Sequence, residues 1–125
     1  MLVLFSACKK FEEGPRFSLI SKKQRLTNDW SYVSIINRLS GEVQTAGFEG
    51  WLEILKNDGS YEKKIYYFGK ESVFSGTWEY DGKNTLRLDY TMYDVPITNI
   101  YTIKRLAADE LWLVDATNEI QLEAL

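Results

Sequence analysis

Three carboxylates could divide acid and base work between them: Glu53, Glu79 and Asp89. Two such groups facing each other across strands could hydrolyse a glycosidic bond. Each falls, however, on the polar phase of its strand with lysine or arginine nearby, the pattern of a solvated charged surface. The chain has no histidine, so it lacks the usual general base near neutral pH and the commonest metal ligand. A single cysteine, Cys8, allows neither an internal disulfide nor a thiolate metal cluster. No glycine-rich phosphate loop occurs. The sequence thus predicts no catalytic site, no metal and no cofactor.

Binding chemistry has better candidates. Trp30, Tyr32, Trp78, Tyr80, Tyr90 and Tyr101 fall on the apolar phase of their strands. A buried tyrosine or tryptophan needs a partner for its polar atom, so a wall of them could orient a small amphipathic ligand. The plainer alternative is that they fill the core, with Trp30 and Trp78 plugging its base. Trp51 and Trp112 fall opposite the aliphatic residues of their strands. Facing outward, they could stack on a sugar ring or dock a protein partner, unless a helix or a neighbouring chain covers them.

The elements that must position these residues are strands. From Ser72 to Tyr93, Phe74, Gly76, Trp78 and Tyr80 alternate with polar residues up to Asp81-Gly82; Leu86, Leu88, Tyr90 and Met92 alternate after it. A period of two around an Asp-Gly pair is a hairpin signal. Trp30, Tyr32, Ser34 and Ile36 share one face of an opening strand. Leu52 and Ile54 then share a face, as do Tyr61, Ile65 and Tyr67. Tyr101 with Ile103, Leu111 with Leu113, and Ile120 with Leu122 complete the series. About eight strands at roughly ten-residue spacing predict an all-β barrel or sandwich. Arg38 to Gly50, with three glycines, reads as a functional or mobile loop, and Gly69-Lys70-Glu71 and Asp94-Val95-Pro96 read as the connections either side of the central hairpin. Ser18 to Leu26 reads as a short helix able to cover a barrel end. At 125 residues and a net charge of -3, this is one domain with no electrostatic case for nucleic acid.

Four local motifs, spread over residues 25–123, carry a family likeness. They are Arg25-Leu26-Thr27-Asn28-Asp29-Trp30, Lys56-Asn57-Asp58-Gly59-Ser60-Tyr61, the pair Gly76-Thr77-Trp78 and Leu86-Arg87-Leu88, and the pair Ile103-Lys104-Arg105-Leu106 and Glu110-Leu111-Trp112-Leu113. Together they resemble the lipocalin-like domain of small bacterial lipoproteins. The resemblance implies an antiparallel up-and-down β-barrel of about eight strands over residues 25–125. It also implies a small apolar or amphipathic ligand in the barrel, under a lid made by Arg38–Gly50 and Ser18–Leu26. In related barrels an arginine near the chain end packs across the first-strand tryptophan, a role Arg105 could take opposite Trp30.

The opening MLVLFSAC resembles the tail of a bacterial lipoprotein signal peptide, with Phe5-Ser6-Ala7-Cys8 in the lipobox position. That resemblance implies residues 1–8 as residual signal, lipid on Cys8, and residues 9–24 as tether and possible short helix. It places the protein lipid-anchored at the cell envelope, in the outer membrane and facing either the periplasm or the surface, and Glu12-Glu13 resembles an acidic surface-export tag. The rival expectation is an envelope interaction module with a filled barrel and an exposed apolar patch containing Trp51 or Trp112.

Overall fold

The computed structural model describes residues 21–125, so the signal, Cys8 and most of the tether lie outside the described residues. The first element is α1, Lys22–Leu26. Ser21 caps it: its hydroxyl accepts the Gln24 N–H while the Gln24 side chain accepts the Ser21 N–H. Among the described residues no helix is long and apolar enough to cross a membrane.

The rest is strand. β1 spans Asn28–Asn37, β2 Val43–Gln44, β3 Leu52–Leu55, β4 Ser60–Tyr67, β5 Lys70–Tyr80, β6 Thr85–Met92, β7 Val95–Leu106, β8 Glu110–Val114 and β9 Asn118–Ala124. Neighbours in sequence pair antiparallel from β3 to β9. β1 pairs with β3 on one side and with β9 on the other, from Trp30 opposite Ala124 to Asn37 opposite Asn118. The sheet therefore closes on itself as an eight-stranded up-and-down barrel, and closure removes exposed edges over most of its length. The long loop contributes β2, a short extra strand lying on the upper part of β1.

Period-two alternation sends Phe74, Trp78, Leu86, Leu88, Tyr90, Leu111, Leu113 and Leu122 into one core. Two departures reset the phase. In β1 the pairing to β9 slips between Tyr32 and Ser34. This bulge turns Ile35 inward opposite Ile120, in place of the expected Ser34 and Ile36. In β3 the inward set is Glu53 and Leu55, with Trp51 just before the strand in the same phase, because Glu53 pairs with both Trp30 and Lys63. Leu52 and Ile54 lie on the other face, where Ile54 is nonetheless covered. Alternation assigned β3 backwards because its two aliphatic residues look more buried than a glutamate.

The two ends differ. At the lower end, beside α1, Leu26, Trp30, Trp78 and Leu111 are almost wholly buried. The Trp30 indole donates to the Leu26 carbonyl at 2.9 Å and the Trp78 indole to the Lys56 carbonyl at 2.8 Å, so both plugs are satisfied. At the upper end the strands part. β5 and β6 pair only from Gly76 opposite Tyr90 downward. They pass so close there that a Cβ on Gly76 would lie 1.8 Å from the Asp89 carbonyl oxygen. β7 meets β8 only from Thr102 downward. The β6–β7 tip, residues 91–101, is thus paired only within itself. Pro96 lies in β7, not in the turn expected for it, and its missing N–H suits this unpaired edge.

The upper turns are also not where the glycine and proline signals suggested. Two-residue turns at Phe68-Gly69 and Tyr93-Asp94 join the strands, with φ of 52° and 76°, then 50° and 68°. Left-handed backbone at both central positions is the type I′ hairpin geometry.

Candidate functional site

Glu53 is the hub of the barrel interior. Its side chain is 5% exposed and takes an ion pair from Lys63 at 2.6 Å. The Tyr61 hydroxyl donates to Glu53 Oε1 and the Tyr32 hydroxyl to Oε2. Lys63, 15% exposed, also donates to the Tyr32 hydroxyl at 3.1 Å and lies 5.6 Å from the Tyr32 ring centre. The expectation that Glu53, Glu79 and Asp89 all face solvent therefore fails for Glu53. The other two stay outside: Glu79 is exposed, and Asp89 binds Arg87 at 2.8 Å.

The register explains the hub. Glu53 and Lys63 are directly paired, and Tyr61 lies two residues from Lys63, so all three share the inner face. A carboxylate in a barrel is tolerable only when paired and fully hydrogen-bonded, and here both oxygens are engaged. Burial, then the adjacent Glu53 charge, holds the Tyr32 and Tyr61 hydroxyls far above the ordinary phenol range. The same two causes, in the same order, raise Tyr101. All three are protonated donors at any physiological pH.

Around this hub the structure gathers four of the six aromatics singled out in the sequence. Tyr32 touches it, Tyr90 packs its ring 5.6 Å from Tyr61, and Tyr101 feels the Glu53 charge. Trp30 lies just below, opposite Glu53 on β1. Trp78 and Tyr80 belong to the lower end. The Tyr80 hydroxyl donates to the Lys83 carbonyl there, at 2.7 Å. The Tyr90 hydroxyl donates to Asn99 Oδ1 at 3.0 Å. Sequence reasoning passed over Lys63, Asn99 and Phe48. The spacing of Glu53, Tyr61 and Lys63 along a hairpin was the available signal for the first.

Trp51 is a second correction. Its ring stands edge-on to Tyr32 at 5.7 Å and to Tyr67 at 5.3 Å, and its indole donates to the Tyr66 carbonyl at 3.0 Å. It belongs to the upper mouth and not to the outer wall. Phe48, buried in the long loop, packs 5.7 Å from Tyr32, so that loop reaches over the hub. Trp112 does face outward, between Lys104 at 6.0 Å and Arg105 at 5.4 Å. Arg105 is held there by Glu110 at 2.7 Å, on the outside, so it does not cross Trp30.

Open space lies at both ends: beside α1 an opening of about 460 Å³ is lined by Lys23, Trp78, Tyr80 and Arg87 among others, and two more openings lie at the upper end. A cavity of about 400 Å³ is lined by Ile35, Asn37, Glu42, Val43, Gln44 and Asn118. None of the six aromatics lines it. A second opening, about 490 Å³, follows the gap between β7 and the β8–β9 turn and reaches Tyr101, with Arg38 and Lys104 at its rim. Both of these are open depressions with no buried side chain in their lining.

Solved structures share this architecture. A lipocalin-like protein from Bacteroides uniformis superposes with a TM-score of 0.67 over 81% of this chain and 99% of its own, at 11% identity. An uncharacterised protein from Bacteroides eggerthii gives 0.64 over 79% and 98%, at 10% identity. No family model matches the chain, and no curated protein matches it by sequence. The likeness at this identity is one of fold, and the fold of this chain is the lipocalin-like β-barrel.

Proposed function

We propose that this protein is a non-catalytic binding protein that takes a small amphipathic ligand into the upper half of its barrel, held at the cell envelope by lipid on Cys8. One observation carries the binding reading. The lower interior is apolar and packed, whereas the upper interior holds a charged, tyrosine-rich hub, and the opening between β7 and the β8–β9 turn reaches Tyr101 beside it. A chain that only needed a core would gain more from aliphatic residues at 53 and 63, because replacing a buried ion pair by apolar side chains is often stabilising. Native mass spectrometry of the protein purified without detergent tests it: a small molecule should travel with the wild type and be lost from a Phe48→Ala, Trp51→Ala variant. An empty wild type that also fails to quench its tryptophan fluorescence with any amphipathic probe would end the reading.

A second reading, an interaction module, draws on the rim. Tyr67, Phe68 and Tyr93 border one exposed depression beside Trp51, and Phe68 is 105% exposed. A contiguous aromatic surface of this kind suits a protein partner.

A further inference from the structure

The hub also constrains which end of a ligand goes in, an inference that rests on the binding reading above. Glu53, its one strong acceptor, already takes three hydrogen bonds, from Tyr61, Tyr32 and Lys63. Donors remain. Lys63 has three N–H bonds and spends two, on Glu53 and Tyr32. Asn99 accepts from Tyr90 through its oxygen, and among the described residues its Nδ2 meets no partner. The Tyr101 hydroxyl also lacks one among the described residues, although the side chain is half-buried and borders the β7–β8 gap. The groups left over at the base of the mouth are thus all able to donate. Above them stand Ile35, Met92, Ile97 and Ile120, half-buried and inward-facing.

A ligand matched to this interior has a hydrogen-bond acceptor at one end and a hydrocarbon body. Charge then separates the candidates. Lys63 is already neutralised by Glu53 at 2.6 Å. A carboxylate entering beside them would be a third, uncompensated charge, and the desolvation cost of such an ion is several kcal/mol. A carbonyl brings the same acceptor geometry without that cost. An ammonium would be a second cation beside Lys63, received only by neutral oxygens and a carboxylate already bonded three times. Arg38 and Lys104 stand at the outer rim of the gap, where water screens them, so they do not offset a charge at the hub. The geometry points to a neutral, carbonyl-bearing amphipath, an ester or amide of a medium-length chain, seated with its carbonyl at Lys63, Asn99 and Tyr101.

Isothermal titration calorimetry of the full chain with methyl decanoate, decanoate and decylamine tests this. The three probes share a tail and differ in the head. Methyl decanoate should bind at least ~10-fold more tightly than either charged probe. Asn99→Leu and Tyr101→Phe, which leave the Glu53–Lys63 pair intact, should each weaken the ester by about 5-fold, the worth of one hydrogen bond. They should not change the binding of decanoate, and a melting curve confirms that each variant is folded. Equal or tighter binding of decanoate or decylamine overturns the head-group assignment while leaving the binding reading standing. An ester that binds both variants as well as wild type overturns it too. If no probe binds and native spectra show no carried molecule, both fall.

Discussion

The two ends of one barrel are built from the same strands by opposite rules. The lower end is a core: Trp30 and Trp78 are buried, each indole spends its N–H on a carbonyl nearby, and α1 closes the opening with Leu26. The upper end keeps a charged pair inside, leaves β6–β7 unpaired to its neighbours, and displays aromatic side chains at its turns. The difference teaches where stability is made and where it has been given up. A closed sheet needs only one well-packed end to hold its register; the other end is then free to carry polar groups that a core would reject.

The sharpest test of that division is a matched pair of truncations. Trp30→Ala should cost about 3–5 kcal/mol, as a large buried aromatic does. Trp51→Ala, half-exposed in the mouth, should cost about 1–2 kcal/mol. Urea unfolding monitored by far-ultraviolet circular dichroism measures both. Equal losses would mean that the two ends share one core.

Lys63→Met comes next. It leaves Glu53 buried without its cation, and breaking a buried pair from one side costs about 3 kcal/mol. Adding Glu53→Leu should recover much of that loss, because an apolar pair needs no compensation. A double variant that melts above the wild type, yet carries no ligand, would show that the hub serves binding and not folding.

Much of the fold was legible because alternation in β5, β6 and β8 is unbroken from turn to turn. Trp78 inward, Glu79 outward and the pairing of first strand with last all follow from it. The hub was not legible for the same reason. Hydrophobic patterning puts Leu52 and Ile54 inside, and only the cross-strand partner Lys63 reveals that Glu53 is the inward residue. The bulge at Val33 hides in a run apolar on both faces, so Ile35 and Ile36 offered no hint of which turned in. The rim turns were misplaced by about a residue because Phe68 and Tyr93 occupy backbone that sequence signals reserve for glycine or asparagine.

That last mismatch can itself be tested. Phe68 holds φ at +52° with its ring in solvent, so it bears the strain of a left-handed residue with little packing in return. Phe68→Asn should raise stability by about 1 kcal/mol, since asparagine suits the first central position of a type I′ turn. A gain in melting temperature would mark the phenylalanine as kept for something other than folding, consistent with a rim that meets a partner. A loss would place Phe68 among the residues that hold the upper end together.

The smallest effect should come from acid, and it should separate the lower turns from the two left-handed upper ones. Two lower turns are pinned by carboxylates, as is the upper β8–β9 turn, where Asp115 accepts the Thr117 N–H at 2.9 Å and the Asn118 N–H at 2.8 Å. Asp58 accepts the Ser60 hydroxyl at 2.6 Å and the Ser60 N–H at 2.9 Å, which holds its pKa below the ordinary carboxylate value. Asp81 accepts the Thr85 N–H at 3.0 Å and the Lys83 N–H at 2.8 Å, with the same result. A depressed carboxylate contributes stability that is complete above its unfolded pKa, about 3.9, and is lost as pH falls through the lower folded value. Both groups are at the surface, so each contribution is screened and small. The Phe68-Gly69 and Tyr93-Asp94 turns show no such side-chain bond to a carboxylate. Between pH 4 and about pH 2, hydrogen exchange at Ser60, Lys83 and Thr85 should therefore quicken relative to Lys70 and Val95. If the Phe68-Gly69 and Tyr93-Asp94 turns loosen first, the lower end owes its order to packing alone and the carboxylate caps add nothing.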